Sequence, residues 1–218
     1  MKKVIEAFLK ELKSSKDTKG VLLFGSYTRG DQRPTSDVDV LVITKEGAWR
    51  DIEERDGQMF EIVYASLELA KDFYKKNPND AVQQWTDGKI IHDPEGVMEE
   101  LKRFVFEIRD KGREAMTEKQ VNHIKFEKED KVRAVEYLQN TDLATATLYL
   151  QALCQELVEL FFELNQQWTP APKQRLPYMR KSNHEVANVF NNLFTAENFK
   201  QQLEETKKVL ALLFVKQF

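Results

Sequence analysis

The chain has a single cysteine, Cys154, so no internal disulfide can form, as expected of a protein in a reducing compartment. Three scattered histidines and that one thiol argue against a structural zinc site. No apolar run approaches the roughly 18 residues of a membrane span, so no membrane partner is expected. Charge enters already at Lys2 and Lys3, too early for a signal-peptide core. A basic excess is missing as well: 33 Lys and Arg stand against 36 Asp and Glu, a net charge of −3. That balance argues against a dedicated nucleic-acid binder without excluding a local basic patch. There is no internal repeat and no low-complexity tract. What remains is ample for a packed core, with 41% hydrophobic and 11% aromatic residues. The expectation is a cytoplasmic protein whose 218 residues make one ordinary domain or two small ones.

The hydrophobic pattern changes character along the chain. Val4, Ile5, Phe8, Leu9 and Leu12 recur at helical spacing, and Lys16-Asp17-Thr18-Lys19-Gly20 breaks that helix. Short apolar runs then predict strands at 21–24, 38–43, 59–65 and 89–92. A helical stretch from about Ser66 is interrupted at Asn77-Pro78. Asp93-Pro94-Glu95 predicts a helix start, with a capping acid and then Pro at the first helical position. Beyond about residue 112 no strand pattern remains. Thr117 and Gln120 form a capping-box signature ahead of a charged helix to about Gln139. Asp142 opens a helix to about Leu164 that is apolar nearly all round, including Leu143 and Leu148, and so predicts the centre of a bundle. Residues 168–173 read as a rigid connector, and a last helix starts near Ala196. The division predicts an α+β core over 1–112, with a mixed sheet and flanking helices, followed by an all-helical bundle over 113–218.

The chemistry concentrates in Phe24-Gly25-Ser26-Tyr27-Thr28-Arg29-Gly30 and Ser36-Asp37-Val38-Asp39-Val40. A strand ending in Gly-Ser lets a ligand approach the backbone at Gly25, while the Ser26 hydroxyl and the following amides can receive an anion. Arg29, three residues on in a helical turn, points the same way as Ser26. Asp37 and Asp39 share one face at the head of a strand, with Val38 on the other. Two such carboxylates call for a cation, and Mg²⁺ is the natural one because it takes oxygen ligands and also holds phosphates. Glu61, an acid inside an apolar strand, joins them if its strand lies alongside. A Gly-Ser turn or an Asp-x-Asp pair alone is commonplace. Their conjunction, with ten residues between Ser26 and Asp37, is specific. Residues 25–30 lack the glycine spacing of the dinucleotide fingerprint, and no Gly-Lys-Ser/Thr follows as in a P-loop.

This pattern resembles the nucleotidyltransferases of the DNA polymerase β superfamily, in particular the small bacterial ones. Gly25, Ser26, Asp37, Asp39 and Glu61 match it position by position, and Arg29 matches a basic residue of the aminoglycoside-type members. The motif resemblance covers residues 20–65. The helical half resembles that of kanamycin and lincosamide nucleotidyltransferases, and Asn165…Trp168-x-Pro170-x-x-Lys173 resembles a segment of related proteins. The resemblance implies transfer of a nucleoside monophosphate, AMP foremost, from ATP or another NTP to an acceptor hydroxyl, with release of pyrophosphate. It implies two Mg²⁺ ions on Asp37, Asp39 and Glu61, the β and γ phosphates on Ser26 and Arg29, and a glutamate base on the second domain, for which Glu127 is the candidate. Glu127 has an alternative as a solvated residue in a charge run, paired with Lys131 one turn on.

The leading expectation is a small-molecule acceptor such as an antibiotic, received in a cleft between the two halves. A second is an antitoxin-like enzyme modifying a partner protein or tRNA, and a third is a non-catalytic nucleotide-binding regulator. Some relatives form dimers with shared sites, which leaves a homodimer open. Trp168, Lys173, Arg175, Tyr178, Arg180 and Lys181 interleave aromatics with basic residues and could touch triphosphate or RNA, though a Trp and a Tyr packed on the bundle explain the aromatics as well. His92, His123 and His184 read as surface or satisfied side chains, and Cys154 as a core thiol.

Overall fold

The computed structural model describes residues 2–215. It divides into two compact units, residues 1–111 and 112–218. The first begins with α1 (Lys2–Ser14), β1 (Thr18–Phe24), the single turn α2 (Ser26–Arg29), β2 (Val38–Thr44), β3 (Ala48–Arg55) and β4 (Gln58–Ser66). It continues through α3 (Leu67–Lys76), α4 (Pro78–Thr86), β5 (Lys89–His92) and α5 (Val97–Lys111). The sheet is mixed, in the order β3-β4-β2-β1-β5. Only β2 and β4 are parallel; every other pair is antiparallel. The α+β fold class expected from the sequence is what the chain adopts.

Each sheet face carries its own core. Val21, Val38, Val40, Val42, Phe60 and Ile62 point to one side and pack with Phe8, Leu9 and Leu12 of α1. Alternate residues Leu22, Leu41, Ile43 and Ala65 point to the other, against Tyr74, Trp85, Met98, Leu101 and Val105 of α3, α4 and α5. Burying a Leu or Val of this kind stabilises the fold by roughly 1.5–3 kcal/mol. Both faces of β2 are therefore apolar, which is why its sequence lacks the alternation of a half-exposed strand.

In this unit the structure adds one element and corrects one expectation. The run 48–55, outside the four expected strands, is β3, an edge strand so charged and exposed that no apolar alternation marks it. A two-residue Asp56-Gly57 turn, both with positive φ, closes its hairpin with β4. The helix expected at Asp93-Pro94 begins only at Val97. Asp93 nonetheless caps it, its carboxylate accepting from the N–H groups of Met98 and Glu99 at 3.0 Å.

The second unit contains α6 (Glu118–Leu138), α7 (Leu143–Leu164), α8 (Pro172–Ser182), α9 (His184–Phe194) and α10 (Phe199–Val215). Thr117 and Gln120 form the expected capping box, and Asp142 caps α7. The central part of α7 is buried among the other helices, through Leu150, Leu153, Cys154, Leu157 and Phe161. Its first turns are not: Leu143 and Leu148 stand 54% and 69% exposed, so the helix is central only from about Leu150 onward. The connector ends at Ala171 rather than Lys173, because Pro172 sits at the first helical position of α8. Helices α8 and α9 lie outside the expected elements, α8 disguised by Pro177 inside it.

Candidate functional site

The two apolar faces of the sheet explain how a polar site is held. Asp39 and Glu61 lie on the same face as Leu41, Ile43, Val63 and Ala65, two residues before the helices begin to cover it. In the parallel ladder Asp39 stands directly opposite Glu61. Asp37 precedes β2 by one residue and reaches the same place, while Val38 is fully buried on the other face. Carboxylate oxygens of Asp37, Asp39 and Glu61 all come within 4.8 Å of one another. Asp37 is exposed and the other two are half-buried.

Such a cluster is electrostatically unfavourable by itself. Burial, then the charges of Asp37 and Glu61, push the Asp39 carboxyl up to about 6, with Arg29 and Arg50 partly opposing them. The oxygen-only donor set and its surplus negative charge fit a hard divalent cation such as Mg²⁺. Bound there, such a cation would acidify an acceptor hydroxyl and neutralise a leaving pyrophosphate.

The turn after β1 stands against the same acids. Phe24 pairs with Asp39 across the β1–β2 ladder, which brings Gly25 beside the Asp39 side chain. Gly25 has φ +74°, and a Cβ there would lie 1.9 Å from Asp39 Oδ2. Both the backbone conformation and the close approach therefore demand glycine. Ser26 is buried, and its Oγ has no hydrogen-bond partner. A buried hydroxyl is rarely left so, and a phosphate oxygen would satisfy it. Arg29 follows one turn later, largely buried, its Nε donating to Asp31 Oδ2 at 3.4 Å. Thr28 Oγ1 donates to the Gly25 carbonyl at 2.8 Å and closes the turn.

Two contributors escaped the sequence reading. Gln58, nearly fully buried, accepts from Tyr27 Oη at 2.7 Å and donates from Nε2 to the Ser36 carbonyl at 2.9 Å. It ties the start of β4 to the loop that delivers Asp37. Arg50 of β3 is the other, its Nη2 2.5 Å from Glu61 Oε1. Both belong to the β3–β4 hairpin, and the signal that would have found them is the Asp56-Gly57 turn.

The remaining candidates lie in the helical unit. Glu127 is exposed on α6 and faces His123 at 3.9 Å. Its expected partner Lys131 binds Glu156 instead, at 2.5 Å, so the i,i+4 pair read from the sequence is corrected. Among the basic and aromatic residues, Tyr178 packs its ring on Phe162, and Arg175 is held by Glu159 at 2.8 Å and the Pro170 carbonyl at 3.2 Å. Cys154 is a core thiol 3.6 Å from Thr206 Oγ1, its pKa raised by burial. Among the described residues no helix is long and apolar enough to cross a membrane.

A mixed sheet with a Gly-Ser turn and three converging carboxylates defines the class of nucleotide-transferring domains. The chain belongs to that class: residues 2–147 match the nucleotidyltransferase domain family. Over 42 residues it is 43% identical to a Methanocaldococcus jannaschii protein provisionally named a protein adenylyltransferase, and 40% identical to a second of the same provisional name. These matches cover 19% of this chain, and 49% and 43% of the relatives, so the chain spans less than half of either. A nucleotidyltransferase-like protein from Exiguobacterium sibiricum shares the fold, with a TM-score of 0.51 and 15% identity over 99% of this chain and 74% of that one.

Proposed function

We propose that the chain is a Mg²⁺-dependent enzyme that moves AMP from ATP to the hydroxyl of a small molecule, such as an antibiotic, and releases pyrophosphate. The observation that carries this reading is the convergence of Asp37, Asp39 and Glu61 within 4.8 Å beside Gly25 and Ser26. Asp37 and Asp39 would hold both of two metal ions, and Glu61 mainly the one next to the acceptor. Ser26 Oγ and Arg29 would bind the β and γ phosphates and orient the α-phosphorus. The acceptor oxygen bonds to that phosphorus as its bond to the bridging oxygen breaks. The acceptor's proton leaves to a base, for which Glu127 is the residue to test, and the electron pair leaves with pyrophosphate.

The full set of carboxylates favours catalysis over mere nucleotide binding. A helical unit fused to the core favours a small-molecule acceptor. A second reading, a protein acceptor, is favoured by the names of the two Methanocaldococcus jannaschii relatives. A cytoplasmic location accords with the lone cysteine, and a homodimer belongs to the same proposal.

Calorimetry of ATP binding with and without Mg²⁺, on wild type and on Asp37→Ala/Asp39→Ala, is the test. Binding that needs both Mg²⁺ and the aspartates supports the reading, and screens of hydroxyl compounds and of partner proteins for pyrophosphate release then separate the two acceptors. A folded wild type that binds no ATP with Mg²⁺ present overturns it.

A further inference from the structure

Two guanidinium groups bear on the three carboxylates, and they are held differently. Arg29 is largely buried and turned onto Asp31. Arg50 lies on the open edge strand, its side chain 61% exposed, with Nη2 2.5 Å from Glu61 Oε1. The register explains the contact. Ile52 stands directly opposite Glu61 and Arg50 opposite Val63, so Arg50 reaches Glu61 along the diagonal of one sheet face. An ion pair this exposed adds little to the stability of a fold. Its consequence lies in the charge of the acid cluster, where it neutralises the carboxylate that faces Asp39 across the ladder.

We infer that Arg50 is a positioning residue that acts as the resident counter-ion of the site. It holds Glu61 toward the two aspartates in the cation-free protein, and it releases that carboxylate when a divalent cation takes it. Arg50 and the cation thus compete for one oxygen pair. This inference rests on the metal reading of the acid cluster.

The experiment is a Mn²⁺ titration of the full chain without nucleotide, by calorimetry and by the loss of the free-ion paramagnetic resonance signal. Wild type, Arg50→Gln, Glu61→Gln and the double variant are compared at low salt, with a thermal melt to show that each is folded. Arg50→Gln is expected to bind Mn²⁺ roughly twofold to fivefold more tightly, the range an exposed ion pair supports. In the Glu61→Gln background the same substitution is expected to change nothing, because the pair is already gone. Unchanged or weaker binding by Arg50→Gln overturns the inference. So does an equal gain in both backgrounds, which would be a general field effect rather than this pair. If Arg50→Gln does not fold, Arg50→Lys serves: it keeps the charge but loses the planar fork, so a smaller gain supports the pairing and none overturns it. A wild type that binds no Mn²⁺ overturns the metal reading as well, whereas bound Mn²⁺ with unaltered affinity in the variants overturns only the role of Arg50.

Discussion

Charge is arranged in opposite ways along the helical unit and at the acid cluster of the α/β unit. In the helical unit, carboxylates near the core are matched: Glu156 takes both Lys128 and Lys131, Glu159 takes Arg175, Glu163 takes Arg113, and Glu136 takes Lys207. In the α/β unit, three carboxylates crowd one place with Arg50 on one of them, and the neighbouring Ser26 Oγ is buried without a partner. In the first arrangement each of these carboxylates has its counter-charge, although Gln167 Oε1 is also buried there without a partner. The second leaves negative charge in surplus, and under the proposed function a cation and a phosphate would offset it. Crowded like charges held in place by a sheet single out a candidate site, whereas matched pairs are the ordinary dress of a folded surface.

Two variants, one in each unit, should differ most. Asp37→Ala is expected to reduce nucleotidyl transfer by on the order of a hundredfold or more while leaving the melting temperature unchanged or higher, since it removes a repelling charge. Leu157→Ala, at a fully buried position of α7, is expected to cost about 2–5 kcal/mol of stability. Pyrophosphate release and thermal melts of both variants measure the contrast. If Asp37→Ala melts markedly lower, the acids are structural and the contrast fails.

Gly25→Ala should combine the two effects. Its Cβ would collide with Asp39 Oδ2 at a φ of +74°, so it is expected to weaken Mn²⁺ binding by about tenfold and lower the melting temperature by a few degrees. Titration and melting of one sample test both.

The pH dependence is smaller and has a definite sign. The folded-state pKa of Asp39 is raised to about 6, so this group favours the metal-free fold below its unfolded value near 3.9. That contribution is lost as pH rises through about 6. After discounting for solvent at this half-buried site, the effect is on the order of 1 kcal/mol. Metal-free wild type should therefore lose stability relative to Asp39→Asn between about pH 4 and 7. Mn²⁺ binding should weaken as pH falls below about 6, where the proton competes. Paired melts and titrations across that range would show it, and parallel curves for the two proteins would contradict it.

The smallest effect is expected at Glu127. Exposed on α6 and facing His123, it should tolerate Glu127→Gln with less than about a threefold change in turnover, as a solvated surface charge would. A far larger loss would make it the base and would draw the helical unit into the chemistry.

How much of this was legible in the sequence follows from range. The Gly25-Ser26 turn, the Asp37-x-Asp39 pair and the strands at their flanks are local, so spacing and apolar runs disclose them. So are the caps at Thr117 and Asp142. Arg50 was missed because β3 is an edge strand: it buries almost nothing, and its residues carry no periodic signal. Gln58 was missed because a lone polar residue at the start of β4 gives no sign that it is buried. Helix α8 is disguised by Pro177 inside it. Helix α9 carries a local signal, an Asn183 cap and Val186, Ala187, Phe190 and Leu193 on one buried face, so its absence from the expected elements has no physical cause.

The sequence by itself determined which residues could do chemistry, because residue type, a glycine where a side chain must be absent and two carboxylates two positions apart are properties of a short stretch of chain. Only the tertiary structure decided that β4 lies parallel to β2 in the register that sets Glu61 opposite Asp39, and that β3 closes the edge with Arg50 on Glu61. The parallel pairing of β2 with β4 is a choice between separated segments, made by the hydrogen bonds and buried area it completes, and no tight turn sets its register as Asp56-Gly57 does for β3 and β4.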